Sequence, residues 1–150
     1  MSQKAERVQA FYEGGIASGS LDELALNLLH PEVEILPALG GELDFGRHYR
    51  GRDGVRELLE RISEGVEGME ITVEPKEVIE IGDDRLLRVE RWHLRGWQGL
   101  QSEIELFHIY TFRDGLIVGI DGFRDKGEAL QAAGIAGDQG GESDRSGGSG

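Results

Sequence analysis

Residues Glu103 to Arg124 read as one long β-hairpin whose strands are apolar on both faces, and this restricts the fold more than any other part of the chain. Two runs rich in Ile, Leu, Phe and Val flank Asp114-Gly115, the short-range signal of a tight hairpin turn. Strand side chains alternate with period two, so Ile104, Leu106, His108, Tyr110 and Phe112 share one face and Phe107, Ile109 and Thr111 the other. Such a strand needs cover on both sides, for instance helices on one and a partner subunit on the other. His108 then needs a hydrogen-bond partner in a mostly dry place, or it lines a cavity there.

A chain of 150 residues suits one domain with a core of its own. Its formal net charge of -13 argues against nucleic acid or an anionic membrane as partner, because those need clustered Lys and Arg. Without cysteine there is no disulfide, thiolate metal site or thiol nucleophile. The N-terminal stretch lacks the apolar run of a signal peptide, and no segment reaches the roughly 18 apolar residues of a membrane span, so the expected compartment is the cytoplasm.

The tail from Gly137 to Gly150 is dominated by Gly and Ser, has no apolar side chain and is expected to be disordered, leaving residues 1–136 as the domain. Ala5, Val8, Phe11, Tyr12 and Ile16 recur at helical spacing, and Gly14, Gly15 and Gly19 end that helix near Ser18. Ser20-Leu21-Asp22-Glu23 has the form of a capping box for a short second helix with Leu24, Leu28 and Leu29 as its apolar side. Val33 to Leu36 is a short strand, and the glycine-containing stretch from Pro37 to Arg50 is long enough to form a lid or pocket rim. A third helix starts at Asp53 with Val55, Leu58, Leu59 and Ile62 on one stripe. Four strands follow at Ile71 to Ile81, Arg85 to Arg95, Leu100 to Phe112 and Leu116 to Arg124, and a helical turn at Glu128 to Ala133 closes the domain. Helices grouped before a strand meander predict an α+β fold of order α-α-β-α-β-β-β-β with a short C-terminal helix, the three N-terminal helices packed on one face of a curved antiparallel sheet.

This order, with Phe11-Tyr12, LLHPEVEILP at 28–37, YRGRDGVRELLERI at 49–62 and FHIYTFRDGLIV at 107–118, resembles the SnoaL-like branch of the nuclear transport factor 2-like superfamily. That superfamily has a cone-shaped α+β fold and includes ketosteroid isomerases, polyketide cyclases, limonene epoxide hydrolases and scytalone dehydratases. One pocket serves many chemistries, so the resemblance carries the fold further than the reaction. It implies that the catalytic tyrosine of the isomerases falls on Tyr12, and the protonated aspartate of their oxyanion hole on His108. Their general base falls on Leu36, or on Ile35 with a shift of one, and neither takes a proton. The late acidic residue of the epoxide hydrolases falls on Gly122, while Asp121 is expected on the face opposite Ile120, Gly122 and Arg124.

The same resemblance puts Leu87, Val89, Arg91 and His93 on the pocket side of the third strand, and Ile120, Gly122 and Arg124 on that of the fifth. Together with Leu36 these are the expected substrate-binding residues, with Tyr12 and His108 as the catalytic pair. The implied ligand is a small, largely apolar, oxygen-bearing metabolite. Tyr12 and His108 would donate to an oxygen that gains negative charge, as an isomerase, cyclase or hydratase working through an enolate requires. The base would be His108, with a reference pKa near ~6.5, or Glu34 turned inward. The alternative is a non-catalytic binding or accessory protein with a filled or inert pocket. Arg91 and Arg124 also read as rim ion-pair partners of Glu90, Asp121 or Asp125. Trp92, Trp97 and Phe107 read as an outer sheet face that joins two copies as a homodimer. No metal and no cofactor is expected: no H-x-x-x-H, H-x-H or carboxylate cluster has ligand spacing, and Gly14-Gly15 lacks the context of a phosphate loop.

Overall fold

The computed structural model describes residues 3–16, 22–37, 48–65, 70–96 and 101–134. Most of the stretch 37–50, Ser20-Leu21, Trp97, the side chains of Ile16 and Ile62, and the Gly/Ser tail lie outside these residues. The elements are α1 (Gln3–Phe11), a π-helical turn (Tyr12–Ile16), α2 (Glu23–Leu26), β1 (Leu29–Leu36), β2 (Tyr49–Arg50), α3 (Gly51–Gly65), β3 (Glu70–Ile81), β4 (Arg85–Arg95), β5 (Gln101–Arg113), β6 (Leu116–Phe123) and α4 (Lys126–Ala133). The six strands form one open α+β sheet in the order β2-β1-β6-β5-β4-β3. Neighbours run antiparallel except β1 and β6, which are parallel. No helix among the described residues is long and apolar enough to cross a membrane.

The β5–β6 turn forms where Asp114-Gly115 requires it. Both residues have positive φ, 56° and 79°, as a two-residue turn matched to the twist of its strands demands. At the sheet edge, β3 carries Pro75 at a bulge, a position where the missing N–H costs no ladder bond.

Two clusters cover the two faces. On the inner face Val8 and Phe11 of α1, Ala25 of α2, and Val55, Leu58 and Leu59 of α3 pack with Leu29, Val33, Ile35, Leu86, Trp92, Leu106, Tyr110 and Ile120. On the outer face α4 lays Ala129 and Ala133 over Leu87, Val89, Phe107 and Ile109. The doubly apolar β5 is thus covered by helices of this chain on both sides.

The short second helix differs from its sequence reading. Its N-cap is Asp22, whose Oδ1 accepts from the Ala25 amide at 2.7 Å, and its buried residue is Ala25, while Leu24 is 67% exposed. Leu29 opens β1 instead of closing this helix. With four residues, the helix buries only the side facing the π-helical turn. There Gly14 is in close contact: a Cβ on it would stand 2.8 Å from Asp22 Oδ1 and 2.9 Å from Ala25 Cβ. Gly14→Ala is therefore expected to cost about 1–3 kcal/mol by overpacking, read as a lower urea midpoint at unchanged slope. An unchanged midpoint would show that the helix moves away freely.

Candidate functional site

β4 reads RLLRVERWHLR, and its alternate residues Arg88, Glu90 and Trp92 point to the inner face. The ladder fixes this: Arg88 lies opposite His108, Glu90 opposite Leu106, and Trp92 opposite Ile104. His108 in turn lies opposite Gly122 of β6, and Tyr110 opposite Ile120. A charged pair is thereby carried into an apolar cone, with Arg88 2% and Glu90 1% exposed.

Charges buried to this degree persist only when paired and hydrogen-bonded. Glu90 Oε2 stands 2.7 Å from Arg88 Nε, and Glu90 Oε1 accepts from the Trp92 indole N–H at 3.0 Å. His108 Nδ1 is 3.3 Å from the same Oε1, an ion-pair contact without the angle of a formed hydrogen bond. Burial pushes the Glu90 carboxyl up, but His108, Arg88 and Trp92 together outweigh it and hold the group below the usual carboxylate range. Glu90 is therefore ionised at neutral pH. Arg88 Nη1 donates to Gln9 Oε1 of α1 at 3.0 Å, tying the cluster to the first helix.

Tyr12 reaches the same cluster from the first residue of the π-helical turn, an irregularity frequent at functional sites. The Arg88 guanidinium carbon lies 5.3 Å from its ring centroid, within cation–π range. Burial and the Glu90 charge raise the Tyr12 hydroxyl above the ordinary phenol value, against the opposing pull of Arg88 and a backbone hydrogen bond at Val73. The hydroxyl therefore stays protonated at neutral pH and acts as a donor. Burial raises Tyr110 still further, and its ring centroid is 6.3 Å from that of His108. The His108 side chain keeps 14% exposure, so the accessible side of the cluster is that of His108 and the half-buried Tyr12.

The family of the SnoaL-like domain matches residues 8–120. The chain belongs to this family. Among solved structures, TerC co-crystallised with polyporic acid is 25% identical, with a TM-score of 0.68 over 89% of this chain and 99% of that one. An NTF2-like protein of unknown function from Burkholderia pseudomallei is 20% identical, with a TM-score of 0.64 over 87% and 97%. RV0760c from Mycobacterium tuberculosis, in complex with estradiol-17beta-hemisuccinate, is 19% identical, with a TM-score of 0.63 over 85% and 97%. A search of curated proteins found no significant match.

In this SnoaL-like chain the inner face holds Tyr12, His108, Ile120 and Gly122 together, and the other residues read as substrate-binding lie elsewhere. Leu87, Val89, Arg91 and His93 are on the outer face, one residue out of phase with the expectation. The physical reason is that β4 is apolar on both sides, and α4 supplies the outer cover that Leu87 and Val89 need. Arg91 pairs with Glu105 at 3.7 Å, and His93 bridges Glu74 at 3.2 Å and Glu103 at 3.1 Å, all outside. His93 also borders an outer cleft of about 310 Å³ with Thr72, Arg95 and Glu103, away from Tyr12 and His108. Leu36 is 48% exposed on the outer face, while its neighbour Ile35 points inward. Arg124 is exposed beyond the end of β6. Trp92, read as outer interface, is instead an inner residue bonded to Glu90, and Phe107 lies beneath α4.

Glu34 and Asp121 also face outward, beside Leu36. Glu34 Oε1 is 2.9 Å from His48 Nε2, and burial raises the Asp121 carboxyl, with Glu34 adding and His48 opposing. Glu34 in this position cannot serve the inner site. Among the described residues no group of three or more His, Cys, Asp or Glu is placed to hold a metal ion. Sequence reasoning missed Arg88 and read Glu90 as a rim partner of Arg91, whereas Glu90 is buried on Arg88 and Arg91 pairs with Glu105; the alternation Arg-x-Glu-x-Trp in an apolar strand carries the signal.

Proposed function

We propose that this chain binds a small, largely apolar, oxygen-bearing organic molecule in the cone, and that His108, oriented by Glu90, is its acid–base group. The observation that carries this reading is the ionised, buried Glu90 facing His108 Nδ1 beside a protonated Tyr12. A carboxylate facing Nδ1 favours the tautomer with its proton there, leaving Nε2 as the acceptor. In an enolisation, Nε2 would take the proton next to a carbonyl, Glu90 would stabilise the imidazolium, and the Tyr12 O–H would donate to the oxygen that becomes the enolate. The proton held on Nε2 is then returned at another atom, which balances an isomerisation. This reading supplies the base that Leu36, Ile35 and Gly122 cannot. Polyporic acid and the steroid ester held by TerC and RV0760c support a flat, oxygen-bearing ligand class.

Thermal-shift and calorimetric titrations with these two compounds test the reading. A ligand at a hundred times its Kd stabilises by about 2.7 kcal/mol, and His108→Ala and Tyr12→Phe are each expected to weaken binding about tenfold. Equal affinity in both variants would remove the two residues from the site. Binding without turnover of enolisable ketones, followed by deuterium exchange at the α-carbon, would favour the non-catalytic reading. The homodimer belongs to the same proposal, with Phe107 covered and Trp92 inside. Contact would fall to the charged outer ends of β3, β4 and β5, and light scattering on the full chain would refute it by giving the mass of a monomer.

A further inference from the structure

We propose that the ligand is an organic anion, a carboxylate or an acidic enol, and that Arg88 receives it. This rests on the reading of the inner cluster as the ligand site and narrows it to one chemical class. A guanidinium carries five N–H donors in a fixed plane. In Arg88, Nη1 is bonded to Gln9, and Nε is in ion-pair contact with Glu90. Nη2 is buried and has no hydrogen-bond partner among the described residues. Native interiors rarely leave a charged donor so, and a polar group arriving from outside the chain is the direct remedy.

The charge of the donor itself gives the sign of that group. Glu90 is one carboxylate facing both Arg88 and His108, and it also accepts from Trp92. That carboxylate is already engaged by the Arg88 Nε and the Trp92 N–H, so an acceptor reaching Nη2 is a second partner of the guanidinium, and a cationic donor bonds an anionic oxygen about twice as strongly as a neutral one. The Tyr12 ring centroid stands 5.3 Å from the guanidinium carbon, and the ligand would meet the guanidinium at the edge that carries Nη2. In-plane approach to that edge suits a flat carboxylate or enolate oxygen, with the Tyr12 hydroxyl as an additional donor. Ile71, Leu94 and Ile104, half-buried against the inner cluster, offer apolar surface for the body of such a molecule.

The test compares an acid with its neutral isostere. Cinnamate is expected to bind the full chain at least about tenfold more tightly than cinnamamide in calorimetric titration. Arg88→Lys loses the planar fork, and is expected to narrow the preference for cinnamate over cinnamamide at least about threefold, with measurable cinnamamide binding reporting that the pocket is still formed. Equal affinities of acid and amide for the unmodified chain would overturn the anion proposal and leave the pocket standing. A full acid preference retained in Arg88→Lys would remove Arg88 as the receptor. Absence of binding by cinnamate, cinnamamide and polyporic acid alike would overturn this proposal together with the reading beneath it. The comparison on the unmodified chain decides the matter even if the variant does not fold.

Discussion

Replacing Glu90 with alanine is expected to destabilise the fold by about 3–5 kcal/mol, because it leaves the Arg88 guanidinium charged and unpaired in an apolar interior. Arg88 and Glu90 are almost wholly buried and stand 2.7 Å apart, and the Trp92 indole N–H loses its acceptor as well. Urea unfolding should show the loss at nearly constant slope. The double variant Arg88→Met with Glu90→Leu removes both charges and fills the space, and should lie within about 1–2 kcal/mol of the unmodified chain. That contrast separates an unpaired charge from lost packing: if the double variant is as unstable as the single one, packing alone is responsible. A loss below about 1 kcal/mol in Glu90→Ala would show that water reaches Arg88. The same pair predicts acid sensitivity. The Glu90 carboxyl is held down in the folded chain, so its stabilisation is present above the unfolded carboxylate value of about 4.3 and is lost as pH falls through the lower folded value. Asp121 is held up by burial and works in the opposite sense, favouring the folded chain while protonated and losing that contribution as pH rises through its raised value. The urea midpoint should therefore fall between about pH 5 and pH 3, and fall less in the double variant.

The limits of the sequence as a guide are visible in β4 itself. Long strands, the Asp114-Gly115 turn and the helical stripe of α3 are local patterns, and the structure has them within a residue or two of where periodicity places them. The face of a strand is a local pattern only when one side is polar. In β5 the choice is fixed by His108 and Tyr110 sharing a side with Leu106, whereas in β4 Leu86, Trp92 and Leu94 compete with Leu87 and Val89. The choice between them depends on α4, which comes forty residues later and covers the outer face. The outer choice for Arg91 and His93 satisfies both with carboxylates from neighbouring strands, while the inner choice for Arg88 and Glu90 requires each to be the other's partner. A rule that sends charge outward fails here because two opposite charges two residues apart on a strand share a face and can neutralise one another. The family resemblance drew Tyr12 and His108 together, and both lie on the inner face, but Glu90 beside them was not legible, because it enters through the register of β4 against β5.

Trp92 provides the other large test, and it separates an interior residue from an interface residue. With 6% exposure, contacts in the inner cluster and its indole N–H on Glu90 Oε1, Trp92→Ala is expected to cost about 3–5 kcal/mol through the cavity left behind. Trp92→Phe keeps most of the apolar volume and removes the donor, and should cost about 1.5–3 kcal/mol because the acceptor is a charged group. Neither change should depend on protein concentration, whereas an outward Trp92 in a contact between copies would alter the mass in solution and leave the stability of a single copy nearly unchanged. Fluorescence gives an independent readout in a Trp97→Phe background, where Trp92 is the remaining tryptophan of the two in the chain. Its emission should be blue-shifted and resistant to iodide at concentrations where the chain is monomeric. Strong quenching there would place the indole in solvent and remove its hydrogen bond to Glu90.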